Sequence, residues 1–304
     1  LLAQIDRSIA PEPGPAPIIE LGESTVTELP NGLTLIVVEN HRLPKVSWSL
    51  RLDYSPILEG ATSGMLDMYG ELMRSGTTTK TKAELDEAID FLGASLNASS
   101  TSLSGSSLTK HSDELLMLMS DVLFNPAFSE NEINKLKTQA LSGLMAAETS
   151  PGEISSILTR TLNYTHLHPY GEVSTAESIE SLNRDDFVSF YDRYFRPNIA
   201  YLVVVGDINP EEAYKMAEQY FGGWVKSDVP YVRWEVPARA RFNRVCFSPI
   251  EGAVQSTIKL THTINMAPGS EDAIAASVMN SILGGGAFSG RLMQNLREDK
   301  AFTY

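Results

Sequence analysis

Apolar and polar positions alternate along the chain in a way that predicts strands and helices mixed through its whole length. Residues 25–39 (TVTELPNGLTLIVVE) set Pro30-Asn31-Gly32 between two stretches rich in β-branched residues, which predicts a hairpin. Residues 46–54 (VSWSLRLDY) alternate with period two as a half-buried strand does, and Gly60 breaks the chain before a helical run at 63–75. In that run Met65, Met68, Tyr69, Leu72 and Met73 recur at spacings of three and four, giving one apolar face that packs on a sheet. Thr79-Lys80-Thr81 leads into a second helix ending near Leu92-Gly93, with Leu85, Ile89 and Leu92 as its stripe. The serine-rich stretch after it (NASSTSLSGSSLTK) has the low complexity of a linker. Leu96, Leu103 and Leu108 are nevertheless spread as exposed antiparallel strands require, so paired strands are expected there.

Three helices follow, over 112–124, 129–145 and 152–164, with Pro126 and Pro151 at their boundaries, and a further helical segment runs to about Tyr194. Residues 198–208 (NIAYLVVVGDI) form a nearly continuous apolar run closed by Gly-Asp, the pattern of a strand buried on both faces, and a helix over 210–221 covers it. Residues 224–241 mix Trp, Pro and charge without a period and read as a linker. Beyond it, strands are expected near 244–248 and 255–263, and a helix over 271–283 before Gly284-Gly285-Gly286. The order strand, strand, helix repeats the opening of the first domain, a weak internal duplication.

Length changes this picture by fixing its scale. At 304 residues the chain fits two domains, taking roughly 150 residues for each. The expected division is an extended tail at 1–24, proline-rich through Ile19; a first domain at 25–223; a linker at 224–241; and the start of a second domain at 242–304. The last piece is too short to close an α+β sheet domain alone, so the sequence is expected to be part of a longer chain. Composition, at 42% hydrophobic and 20% charged, is that of a globular protein. A net charge of -14, from 38 acidic against 24 basic residues, repels a phosphate backbone and sets nucleic acid aside as a partner. No run approaches the roughly 18 to 20 apolar residues that span a bilayer, and no targeting signal is visible. The proline-rich tail suits a chain whose signal peptide has been removed, which favours the periplasm over the cytoplasm. The single cysteine, Cys246, has no intramolecular partner and reads as a buried thiol.

Candidate metal ligands are few. None of the five histidines, His41, His111, His166, His168 and His262, pairs with another at the i, i+4 spacing that puts two imidazoles on one helical face. His166-x-His168 lies before Pro169-Tyr170-Gly171 without a third ligand nearby, and His111-Ser-Asp-Glu114 is followed by Leu115, so it reads as a helix-start turn.

The order and spacing of several segments resemble the insulinase/pitrilysin zinc peptidases, especially their two-domain bacterial and mitochondrial-processing branch. The resemblance runs through Leu29-Pro30-Asn31-Gly32-Leu33, Gly60, Gly76-Thr77, His168-Pro169-Tyr170-Gly171, Asn198 to Gly206-Asp207, Val254-Gln255-Ser256, and Gly284 to Arg297. It implies an α+β fold of two homologous αβ domains, each an antiparallel-rich sheet covered by helices, forming half of a clamshell with the second domain incomplete here. Active members carry His-x-x-Glu-His on the helix before Gly-Thr, where both His bind zinc and the Glu is the general base. Counting back from Gly76, those places hold Asp67, Gly70 and Glu71, and the place of the third ligand, eight residues before Pro151, holds Gly143. Asp67 and Glu71 stand at i, i+4, where two carboxylates converge on a hard cation such as Ca²⁺ or Mg²⁺. Without a third oxygen ligand, a solvated acidic face is the better reading.

The resemblance also implies what remains. Arg297 and Tyr304, in LREDKAFTY, match an Arg and Tyr seven residues apart that hold the substrate carbonyl and its developing oxyanion. Gly284, Gly285, Gly286, Phe288 and Gly290 match a glycine-rich loop that lies against an extended peptide; a helix-ending turn is the alternative, and a phosphate loop is excluded because no Lys-Ser/Thr follows. The implied function is a non-catalytic subunit, inactive alone, that carries no cofactor of its own. It would pair with a zinc-bearing homologue, or with itself, around unfolded peptide substrates. The rival readings are a structural scaffold with no role in proteolysis and, last, an independent peptidase with an unrecognised metal site.

Overall fold

The structure, a computed structural model, describes residues 14, 23–235, 237, 244–267, 269–286 and 289–303. The chain divides into two compact units, Leu1–Met145 with Ser174–Val232, and Ala146–Val173 with Arg233–Tyr304.

The first unit is built on one six-stranded sheet. Its strands are β1 (Ser24–Glu28), β2 (Thr34–Glu39), β3 (Lys45–Leu52), β4 (Ser95–Ala98), β5 (Ser102–Leu108) and β6 (Ala200–Gly206), in the order β1-β2-β6-β3-β5-β4. Only β2 and β6 run parallel; the other pairs are antiparallel. The expected first hairpin forms around Pro30-Asn31-Gly32, where Gly32 takes φ +89° and the Asn31 side-chain oxygen accepts from the Leu33 N–H at 3.1 Å. Asn31 Nδ2 also donates to the Phe221 carbonyl at 2.8 Å, so a turn residue ties the hairpin to a helix far along the chain.

The helices of this unit follow the expected periods: α1 (Met65–Met73), α2 (Lys82–Phe91), α3 (Ser112–Phe124), α4 (Glu130–Ala147, whose last two residues fall in the second unit), α6 (Ala176–Ser181), α7 (Arg184–Tyr194) and α8 (Pro210–Phe221), with α5 (Pro151–Tyr164) belonging to the second unit. Thr81 and Glu84 form a reciprocal capping box at the start of α2. The serine-rich stretch is indeed the strand pair β4 and β5.

On the covered face of the sheet Val46, Trp48, Leu50 and Leu52 of β3 line up with Ala200, Leu202 and Val204 of β6, all buried. Trp48 Nε1 donates to Ser112 Oγ at 2.9 Å, which fixes the start of α3 over the sheet. Tyr69 of α1 sits among Phe190, Phe195, Phe128 and Phe187, with ring centroids 4.8, 5.5, 5.7 and 6.2 Å away. Burial pushes its phenol well above the ordinary tyrosine value.

One expectation fails here. The strand in 198–208 is covered on one face, since Tyr201 and Val205 are 41% and 40% exposed. Their neighbours across the sheet are Arg51 and Ser47 of β3, so the open face is a mixed polar surface onto which the apolar side chains of β6 project. An unbroken apolar run does not distinguish these cases, because a single exposed valine or tyrosine costs little.

The turn after α1 is locked by Asp121 of α3, whose carboxylate accepts from Thr79 Oγ1 at 2.6 Å, Thr77 Oγ1 at 2.7 Å and Asn125 Nδ2 at 2.9 Å. Burial pushes this carboxyl up, but the hydrogen bonds from Thr79, Thr77 and Asn125 outweigh it and leave it below the ordinary Asp value. A lowered folded pKa stabilises the protein above the unfolded pKa, and that contribution is lost as pH falls through the folded one. Asp121→Ala should therefore cost roughly 1 kcal/mol at neutral pH, the low end for hydrogen bonds to a partly solvated carboxylate. Urea unfolding at stepped pH should show this difference narrowing below about pH 4.

The second unit contains α5, α9 (Asp272–Asn280) and two wider helical turns, Ser281–Gly285 and Gln294–Asp299. Asn163 Nδ2 donates to Thr261 Oγ1 and Lys259 Nζ to Ser156 Oγ, each at 2.8 Å, tying residues 259 and 261 to α5. The strands expected near 244–248 and 255–263 do not form. Val245, Phe247, Val254 and Ile258 are 96%, 83%, 97% and 88% exposed, and Cys246, expected to be buried, is exposed with them. A strand needs a partner for its backbone groups and cover for its apolar face, and among the described residues of this unit none supplies either. At the first-unit end of the expected linker, Trp224 is buried and donates through Nε1 to the Phe195 carbonyl at 3.2 Å, while the Val232 N–H donates to Ser55 Oγ at 2.9 Å.

Candidate functional site

Helix α1 carries three of the four positions at which the resemblance places a lost metal site. Its apolar stripe, Met65, Met68, Tyr69, Leu72 and Met73, is buried, which turns Asp67 and Glu71 out to solvent on the opposite face. Gly70, about 60° around the helix from Asp67 and on the side away from Glu71, is buried against the β4–β5 turn. A Cβ built on it would lie 2.3 Å from the Ala98 carbonyl oxygen and 2.7 Å from Ser99 Cα, distances that no side chain tolerates. The absence of a side chain at Gly70 is what lets the β4–β5 turn seat directly on the helix.

The next residue on this face is Arg74. Its Nη1 donates to the Leu96 carbonyl of β4 at 2.8 Å, and its Nη2 is 2.5 Å from Asp86 Oδ1 on α2. Lys82 Nζ stands 3.8 Å from the other Asp86 oxygen. Sequence reasoning passed over Arg74; the available signal was a lone cation at the C-terminal end of the helix that carries Asp67 and Glu71, a position where its charge also complements the helix dipole.

Gly143, the fourth position, lies on the exposed side of α4, and a Cβ there would meet nothing within 4 Å. Zinc sites take three protein ligands from His, Cys, Asp and Glu. The set at hand offers two exposed carboxylates and two glycines, and among the described residues no group of three such side chains stands close enough to hold a metal. These positions do not fit zinc. The other histidine candidates have local roles: His111 ends the turn that starts α3, 4.0 Å from Glu114, and His168 accepts the Tyr170 N–H at 3.1 Å while packing on Tyr164, Tyr170 and Trp234. A groove of about 470 Å³ between α2 and α3, lined by Phe91, Met117, His111 and Glu114, contains neither Asp67 nor Glu71.

In the second unit Arg297 lies on the turn Gln294–Asp299, with its side chain 37% exposed and its Nε 3.7 Å from Glu298 Oε1. Tyr304 and Phe288 lie outside the described residues. Gly284 and Gly285 are helical, continuing α9 through a wider turn, and the Gly286 carbonyl accepts the Ser289 and Gly290 N–H groups at 3.0 and 3.1 Å.

Set against known proteins, residues 61–169 match the family model for insulinase (peptidase family M16), and residues 181–304 match that for the peptidase M16 inactive domain. An uncharacterized zinc protease of Bacillus subtilis (strain 168) is 26% identical over 247 residues, covering 80% of this chain and 59% of that protein. One of Rickettsia bellii is 23% identical over 291 residues, covering 92% and 68%. A probable mitochondrial-processing peptidase subunit beta of Arabidopsis thaliana is 23% identical over 213 residues, covering 67% and 40%. The chain therefore spans only part of the length of these relatives. Among solved structures, a peptidase M16 inactive domain from Pseudomonas fluorescens superposes with a TM-score of 0.77 at 22% identity, covering 93% of this chain and 69% of that one. Pitrilysin superposes with a TM-score of 0.60 at 18% identity, over 71% and 24%. These likenesses establish the α+β fold. With both family models matched in chain order over most of the sequence, the chain belongs to the insulinase/pitrilysin family of peptidases, M16.

Proposed function

We propose that this chain is the non-catalytic half of a divided peptidase, pairing with a zinc-bearing homologue and contributing Arg297, Tyr304 and the glycine segment to the binding of peptide substrates. The observation that carries this reading is the asymmetry of the two half-sites. On α1 the position of the general base is Gly70, packed against Ala98, and the ligand positions are the exposed carboxylates Asp67 and Glu71. The Arg and Tyr of the other half-site are both retained in the sequence, at Arg297 and Tyr304.

The chemistry divides accordingly. A guanidinium and a phenol donate hydrogen bonds to a carbonyl oxygen as it gains negative charge, and neither has to move a proton to do so. That work needs no metal on this chain. The zinc and its base would come from the partner, the substrates would be unfolded peptides paired to a sheet edge, and the periplasm is the compartment we assign. No helix among the described residues is long and apolar enough to cross a membrane.

The test is reconstitution with a homologue that carries an intact His-x-x-Glu-His. The isolated chain should hold no stoichiometric zinc and cleave no peptide, and adding it should raise cleavage by the homologue at least about tenfold. Zinc and cleavage in the isolated chain would overturn the proposal in favour of an independent peptidase. Complex formation without a change in cleavage would leave the scaffold reading.

A further inference from the structure

The edge strand β4 meets α1 at Gly70, one of the positions where the metal motif is missing, and its two outward-facing carbonyls are already covered. The Ser99 N–H donates to the Ser102 carbonyl at 2.8 Å, which closes the β4–β5 hairpin and sets its hydrogen-bond alternation. In that alternation Ser95 and Asn97 face β5, and the backbone groups of Leu96 and Ala98 point away from it, toward the open edge of the sheet. Both outward carbonyls are covered. Leu96 O accepts from Arg74 Nη1 at 2.8 Å, and Ala98 O lies 2.3 Å from where a Cβ on Gly70 would stand, so the helix itself lies over it.

A peptide added to a sheet edge pairs with the outward carbonyl and amide groups of that edge. We infer that Arg74 guards the β4 edge: its guanidinium, anchored by Asp86, ties α1 to Leu96, and an extended peptide pairs with β4 only after that tie is released. This rests on the reading above, in which the protein handles extended peptides, and adds to it the residue that controls access. The guard is suited to reversible opening. Arg74 is held at its tip by one carbonyl and one carboxylate, its side chain is 29% exposed and that of Asp86 39%, so water can replace both contacts. What then holds the hairpin to α1 at Gly70 is van der Waals contact with backbone atoms, which carries no directional bond.

The probe is a short fluorescein-labelled peptide of alternating Val and Thr, with binding followed by anisotropy and its location by amide hydrogen exchange. Arg74→Met keeps the side-chain stem and removes the guanidinium; Asp86→Asn keeps the arginine and weakens its anchor. Arg74→Met should bind the probe about tenfold more tightly than the parent chain, the scale of one charge-assisted hydrogen bond, and Asp86→Asn by an intermediate factor. In both variants the peptide should slow exchange at Leu96 and Ala98, and in the parent it should not. Equal affinity in all three proteins overturns the inference, as does equal slowing at Leu96 in the parent, or slowing confined to β1. If circular dichroism shows that Arg74→Met fails to fold, Asp86→Asn decides alone. Neither readout uses the zinc-bearing homologue or any cleavage, so failure of the divided-site reading shows separately, as reconstituted cleavage that does not change.

Discussion

Rebuilding the missing motif, with Asp67→His, Gly70→Glu and Glu71→His together, should give an unstable chain that still holds no zinc. The three changes are far from equivalent. Asp67 and Glu71 are exposed, and histidines there should shift stability by no more than about 0.5 kcal/mol. At Gly70 the new Cβ falls 2.3 Å from Ala98 O, 2.7 Å from Ser99 Cα and 2.9 Å from the Ala98 carbonyl carbon. All three are backbone atoms, so no rotamer relieves the overlap and either α1 or the β4–β5 hairpin has to move. Overpacking of this kind costs on the order of 1–3 kcal/mol, and a carboxylate pressed toward a carbonyl oxygen adds to it, so Gly70→Glu alone should cost about 3 kcal/mol or more. For a folded unit of this size that is a fall in melting temperature of roughly 6–12 °C. Denaturant unfolding of the single, double and triple variants, with metal analysis after dialysis, separates the contributions. Adding Gly143→Glu should be tolerated, because the space around Gly143 is open. A stable Gly70→Glu chain, or stoichiometric zinc in the fourfold variant, would show that the helix and hairpin are not closed on each other.

That contrast between Gly70 and Gly143 also marks where sequence reading stops. Both glycines offer no ligand, and the sequence shows that much for each. Only the fold separates them, since the atoms that crowd Gly70 belong to Ala98 and Ser99, brought there by the pairing of β4 with β5. The helices of the first unit were legible because each has one buried stripe, as in Met65, Met68, Tyr69, Leu72 and Met73, and the β1–β2 hairpin because Asn31-Gly32 fixes its own turn. Pairing order was not legible. The parallel contact of β2 with β6 joins residues far apart in sequence, and nothing local in TLIVVE or AYLVVVG names the partner. The strands expected at 244–263 fail for the same reason: alternation states a preference for a sheet, and a sheet forms only where a second strand is present. Arg74 was missed because its partners, Leu96 and Asp86, lie on two other elements.

In the reconstituted pair, Arg297→Ala should lower kcat for peptide cleavage about 100-fold, the usual effect of removing one donor to a developing oxyanion. The reasoning is differential. A donor that meets the carbonyl oxygen only as charge builds on it lowers the barrier without tightening the ground state, so KM should change little. Arg297→Lys keeps a cation but loses the planar fork, and should recover part of the rate. Tyr304→Phe, which removes one neutral donor, should cost less, roughly tenfold. On the divided-site proposal both groups bind one oxygen, so the double variant should fall short of the product of the two single losses. A merely structural role would give a different signature: weaker association with the homologue, a raised KM, or a lowered melting temperature, and no special recovery with lysine. Circular dichroism and size exclusion at fixed concentration separate a loss of folding or pairing in Arg297→Ala from a loss at the chemical step. If the Arg297→Ala, Tyr304→Phe double variant supports cleavage at the parent rate, the active site is not shared between chains, and the retention of these two residues has some other cause.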